Sequence, residues 1–155
     1  MSAIWKPHVT VAAVIERDGR FLLVEEEVGD GAGGVVVRYN QPAGHLDTGE
    51  SLLQACARET LEETAWHFRP QALVGIYQWP SAQRDLTYLR FAYCGELGTE
   101  EAGRPLDAGI LRALWLTLEE IQALAAQHRS PLILQCIRDY LAGNRYPLDL
   151  VKHYD

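Results

Sequence analysis

Apolar residues are grouped along this chain in a way that changes period twice. From His8 to Glu16 they run almost without interruption (Val9, Val11, Ala12, Ala13, Val14, Ile15), which predicts a strand. Arg17-Asp18-Gly19-Arg20 places Asp-Gly where hairpin turns favour it, and Phe21 to Glu26 predicts the returning strand. Four glycines between Glu27 and Gly34 predict a flexible loop, and Val35 to Tyr39 a short strand, before the backbone corner Asn40-Gln41-Pro42-Ala43-Gly44. The period then becomes helical. Leu52, Leu53, Cys56, Ala57, Thr60, Leu61 and Thr64 share one side of a helix from Glu50 to about Ala65. Gln71 to Gln78 and Leu86 to Glu96 predict two more strands, with Trp79-Pro80 as the break between them. Gly98 to Gly109 reads as a loop, and Ala113 to Leu116 as a last short strand. Thr117 and Glu120 form a capping box that opens a helix to about Gln127. Ser130-Pro131 opens the final helix and Gly143 closes it.

The order is mixed β, one helix inserted midway and two at the end, with no change of composition along the way. Residues 1–155 are therefore expected to form one domain of the α/β (α+β) class, built in layers. With 48% apolar residues, such a chain can bury a core without staples. Cys56, Cys94 and Cys136 are odd in number and far apart, so reduced, buried thiols in a cytoplasmic protein are expected rather than disulfides or structural zinc. No apolar run suggests a signal peptide or a membrane span. Monomer and dimer both stay open.

Charge changes the picture more. The formal net charge is −7, from 21 acids against 14 bases. This excludes a simple electrostatic grip on nucleic acid or an anionic membrane, while leaving room for an anionic small molecule if a cation intervenes. The acids concentrate on the midway helix. With Leu52 at zero and 100° per residue, Glu59 lies near ~340°, Glu62 near ~280° and Glu63 near ~20°. Three carboxylates thus converge beside the apolar face. Like charges at i, i+3 and i+4 repel, and the C-terminal half of a helix disfavours anions. A solvated acidic face is one reading. A hard divalent cation is the other, since Mg²⁺ and Mn²⁺ prefer carboxylate oxygens. Arg58 stands among the acids, placed to orient Glu50 or a neighbour, and Gly44 forms a corner ahead of the helix.

The spacing Gly44, five residues, Glu50, seven residues, Arg58-Glu59, two residues, Glu62-Glu63 resembles the Nudix box. Thr60 departs from the aliphatic residue usual after Arg-Glu, and Ala65-Trp66 from the usual glycine and aliphatic pair. Because alanine pays for positive φ, the helix is expected to exit differently there or to run longer. His8-Val9-Thr10-Val11, Asn40 to Leu46, Leu89-Arg90-Phe91, Arg129 to Leu132 and Arg145 to Leu148 extend the likeness to the NudJ phosphatase group, over about residues 8–150.

The resemblance implies a Nudix α/β/α sandwich with a mixed central sheet, and hydrolysis of a small-molecule phosphoanhydride with Mg²⁺, or Mn²⁺ in its place. It implies Glu59, Glu62 and Glu63, with the Gly44 carbonyl, as metal ligands, and Glu50 and Arg58 as the pair that orients the box. The group is associated with nucleoside di- and triphosphates and with the pyrophosphate of the thiamine pyrimidine precursor, with orthophosphate among the products. Glu63 or Glu59 would take the proton of the attacking water, with Glu96 and Asp107 as candidates outside the box. Arg90, Arg84 and Arg38 are candidate phosphate clamps, and Trp79, Tyr77 and Tyr88 candidate base-stacking residues. Each has packing or solvated surface as its competing role. His45 either faces the site or holds the loop. Other substrates (a nucleotide sugar, a dinucleoside polyphosphate, an RNA cap) and a non-catalytic ligand sensor are the alternatives; the intact Glu59, Glu62 and Glu63 disfavour the sensor.

Overall fold

A computed structural model describes residues 2–82 and 85–155. The N-terminal apolar run becomes β1 (His8–Val14), followed by the two-residue β2 (Glu16–Arg17) and by β3 (Arg20–Gly29). Asp18 and Gly19 turn the chain with φ of 52° and 76°, the left-handed pair that a tight hairpin needs. β4 (Val35–Asn40) and the short β5 (Ala43–His45) lead to α1 (Leu52–Thr64). Two long strands follow, β6 (Trp66–Ser81) and β7 (Leu86–Glu100), then β8 (Ile110–Thr117), α2 (Leu118–Ala123) and α3 (Leu132–Leu141).

Two four-stranded sheets result. The first has the order β5-β1-β7-β6 and is mixed: β1 is antiparallel to β5 and parallel to β7. The second joins β2, β3 and β4, with β8 on the other side of β3. Both faces of the mixed sheet are covered, which is why β1 reads as an unbroken apolar run. Ala12 and Val14 face Ile133, Cys136 and Ile137 of α3, together with Phe21 and Leu23 of the second sheet. Val11, Ala13 and Tyr93 face Ala55 and Cys56 of α1. All three cysteines are free and buried.

Trp79-Pro80 does not break the strands. Trp79 pairs with Tyr88, and Pro80 with Thr87. β6 is the sheet's outer strand, where proline's missing N–H goes unneeded at the edge. The strands also outrun the alternating pattern, because register shifts at Trp66/Phe68, Pro70/Ala72 and Leu73/Gly75 interrupt their period of two. The helix after Thr117 is shorter than expected and passes into a 3₁₀ turn at Ala125–Gln127.

Candidate active site

α1 starts later than its acidic face suggests. Ser51 is the N-cap, its hydroxyl accepting from the Gln54 N–H while the Gln54 side chain accepts from the Ser51 N–H. Glu50 therefore precedes the helix. Its carboxylate accepts from the Asp47 N–H at 2.8 Å and receives the Arg58 fork, Nε at 3.0 Å and Nη2 at 2.6 Å. This bidentate bond holds the Glu50 carboxyl below its usual range, with burial opposing it. Arg58 also donates to Glu59 at 2.9 Å, to Glu62 at 3.2 Å and to the His45 carbonyl at 3.0 Å. One guanidinium thus ties the loop before the helix to the acids on it.

At its other end α1 stops at Ala65, which takes φ 64°, the conformation glycine adopts at lower cost. The Ala65 N–H donates to the Leu61 carbonyl and the Trp66 N–H to the Thr64 hydroxyl, so the exit is tied although the residue is unfavourable. The helix does not run longer.

Glu59, Glu62 and Asp107 present carboxylate oxygens within 4.8 Å of one another. Asp107 lies in the loop after β7, and its N–H donates to the Glu62 carbonyl at 3.0 Å. The end of the helix thereby anchors the third carboxylate. No periodicity marks Asp107; its signal in the sequence is only an acid beside Pro105 and Gly109. Glu59 packs against β5 so closely that a Cβ on Gly44 would run into its carboxylate. Glycine at position 44 leaves room for that carboxylate. Burial pushes the Glu59 carboxyl up to about 7, Arg58 working against it and Glu62 and Asp107 adding repulsion.

Glu63 faces elsewhere. It is buried, and Oε1 accepts from the Ala43 N–H at 2.8 Å. Burial pushes its carboxyl up to about 9; the Ala43 bond opposes this, and Glu59, Glu26 and Asp107 reinforce it. Glu96 is exposed and paired with Arg69 at 2.8 Å. The donor set suits a hard cation. Three carboxylates crowd together, one of them (Glu59) and the adjacent Glu63 are driven toward their protonated forms, and Arg58 is bonded to Glu59 and Glu62.

Along β5, lined by Ala43, Gly44 and His45, opens a cavity of about 730 Å³, within the usual range for small-molecule sites. Gly44 and Glu26 link it to the acids, since Gly44 lines the cavity and touches Glu59, and Glu26 lines it and repels Glu63. Arg90, Arg38, Trp79 and Tyr88 all line it. Tyr77 instead donates from its hydroxyl to Asp139 at 2.6 Å. Arg84 lies outside the described residues. His45 lines the cavity with its ring 5.7 Å from that of His8, while its carbonyl accepts from Arg58.

A family model of the NUDIX domain matches residues 6–136. Over 152 residues the chain is 40% identical to Phosphatase NudJ of Escherichia coli (strain K12), an alignment that covers 98% of this chain and 95% of that protein. Its structure is similar to a solved NUDIX hydrolase from Nitrosomonas europaea, with 53% identity and a TM-score of 0.92, covering 96% of this chain and 98% of the other. A MutT NUDIX hydrolase from Burkholderia pseudomallei shares the fold, with 21% identity, a TM-score of 0.70 and coverage of 87% and 98% respectively.

Proposed function

The chain belongs to the NUDIX family and is a hydrolase of phosphorus-containing anhydrides; from that premise we propose a narrower activity, Mg²⁺-dependent phosphate release from nucleoside di- and triphosphates or related small pyrophosphates. Mn²⁺ would substitute for Mg²⁺, and the pyrophosphate of the thiamine pyrimidine precursor belongs among the substrates to be tried. One observation carries this reading: Glu59, Glu62 and Asp107 meet within 4.8 Å beside a glycine corner, in a relative of a NudJ phosphatase.

Glu59, Glu62 and Asp107 would hold the ion, and the family pattern adds Glu63 and the Gly44 carbonyl. When bound, the divalent ion neutralises phosphate oxygens and lowers the pKa of a coordinated water. The chain's own groups do the rest. Arg58 locks Glu50, Glu59, Glu62 and the His45 carbonyl into one frame, so the ligands are positioned before substrate arrives. A carboxylate of the cluster would take the proton of the attacking water. Glu63, with the carboxyl driven highest, is the stronger base once ionised, and Glu59 is its competitor. The cavity along β5 would receive the rest of the substrate, with Arg90, Arg38, Trp79 and Tyr88 lining it.

The test is a panel of nucleotides and pyrophosphate esters, assayed separately for orthophosphate and pyrophosphate with Mg²⁺ and with a chelator. Metal-dependent orthophosphate release from nucleoside di- or triphosphates is the expected result. Turnover confined to nucleotide sugars, dinucleoside polyphosphates or capped RNA would overturn the substrate assignment.

A further inference from the structure

Asp107 is an exposed residue of the loop between β7 and β8, so packing does little to fix it beside Glu59 and Glu62. Two tight turns hold it instead. The first spans Glu101 to Arg104, with the Arg104 N–H donating to the Glu101 carbonyl at 3.0 Å. The second spans Asp107 to Ile110, with the Ile110 N–H donating to the Asp107 carbonyl at 3.0 Å. Gly103 and Gly109 stand third in their turns with φ of 81° and 90°, where a type II turn calls for a left-handed residue. The first turn is tied to the exit of α1, because the Glu101 N–H donates to the Ala65 carbonyl at 2.8 Å. The second is tied to β3, because the Glu27 N–H donates to the Gly109 carbonyl at 2.8 Å. Between them the Asp107 N–H reaches the Glu62 carbonyl.

The Glu101 side chain completes the first turn. Its Oε2 accepts from Arg104 Nη1 at 2.7 Å, and its Oε1 lies 2.9 Å from His67 Nε2. The carboxylate thus closes the turn on itself and fastens it to β6. Arg104, and after it His67, hold the Glu101 carboxyl below its usual range, so it stays ionised. The same bond governs the nearest cation in the loop. Arg104 stands three residues before Asp107 and pairs with Glu101. Left free, a guanidinium is a ready partner for a neighbouring carboxylate and a competitor to a divalent ion there.

We propose that Glu101 is a positioning residue for the metal site: by holding Arg104 and His67, its carboxylate sets the turn that presents Asp107 to Glu59 and Glu62, and it keeps Arg104 off Asp107. The proposal rests on the reading that these three carboxylates hold the divalent ion, and it adds a residue outside the cluster. An exposed ion pair contributes little to global stability, so Glu101 shows itself in ion affinity and not in melting.

The test is a Mn²⁺ titration of the nucleotide-free protein, with free ion read by electron paramagnetic resonance, on wild type, Glu101→Ala, Asp107→Asn and the double variant. Glu101→Ala is expected to weaken Mn²⁺ binding about fivefold, and to cause no further loss once Asp107→Asn is present, because the first change acts through the second residue. The metal-free melting temperature of Glu101→Ala is expected to stay within about 2 °C of wild type. A loss of the same size in both backgrounds would mark a mere change of net charge and overturn the proposal. Wild-type affinity in Glu101→Ala or in Asp107→Asn would overturn it too, and so would a larger fall in melting temperature, which would assign Glu101 to the fold. Phosphate release separates this from the cleavage reading. Coupled losses of Mn²⁺ binding in a chain that hydrolyses no diphosphate support the role of Glu101 and sink the cleavage reading. Metal-dependent hydrolysis with a Mn²⁺ affinity indifferent to Glu101 does the reverse.

Discussion

Glu63 and Arg90 are both buried in this protein, and neither meets an opposite charge among the described residues. Glu63, on α1, is held by the Ala43 backbone N–H; Arg90, on β7, is held by two side-chain amides and a thiol. Their responses differ. A carboxylate can shed its charge by taking a proton, and Glu63 is driven that way, to about 9. A guanidinium cannot, since its pKa is too high. Glu63 can therefore rest neutral, whereas a guanidinium in the same surroundings keeps its charge.

Losing the acidic side should cost most. Glu59→Gln is expected to lower kcat at least about 100-fold with Mg²⁺, because a charged ligand is deleted, while nucleoside binding in EDTA persists. Phosphate-release kinetics beside calorimetry would check this, and equal losses in both would erase the distinction between the acidic cluster and the cavity. Asp107→Asn should reduce kcat about tenfold and raise the Mg²⁺ concentration needed. Full activity at low Mg²⁺ would leave Asp107 as a mere anchor for the end of α1.

The protonation contrast predicts a pH dependence without metal. Folded Glu63 keeps its proton to about 9, whereas the unfolded chain releases it near 4.5. Between these values the folded state binds more protons, so stability falls as pH rises. Glu59 acts in the same direction up to about 7. Melting temperature in EDTA should thus decline by several degrees from pH 5 to pH 9, Mg²⁺ should reverse the decline at pH 8, and Glu63→Gln should flatten it. A flat wild-type curve would show that Glu63 ionises freely. Smaller still, Ala65→Gly should relieve the left-handed strain and stabilise the fold by about 1 kcal/mol, read from thermal melts. Glu96→Gln, at an exposed ion pair, should shift stability by less than about 0.5 kcal/mol and leave turnover alone.

The elements legible from the chain alone were those whose pattern is local. The Asp18-Gly19 turn, the Thr117–Glu120 capping box and the α1 stripe rest on contacts between near neighbours in sequence. The ends of β6 were not legible, because its bulges break the alternation and because Pro80 is tolerated only on an edge strand, a position set by the whole sheet. Asp107 was named from the chain only as an outlying acid. Its place beside Glu59 and Glu62 comes from one backbone hydrogen bond to Glu62, 45 residues away.

Sequence by itself determined the spacing of Glu50, Arg58, Glu59, Glu62 and Glu63, and with it the family and the class of chemistry, because helical geometry converts spacing directly into a shared face. Only the tertiary structure decided where those acids lie relative to one another. It crowds Glu59 against Gly44, turns Glu63 to Ala43 and brings Asp107 in from a distant loop. It also decided that Arg90 lies buried among neutral partners, one pleat from the stacked Tyr88 and Trp79. Burial and the absence of a counterion are properties of the packed surroundings, so a charged residue acquires them only when the sheet and its helices have closed around it.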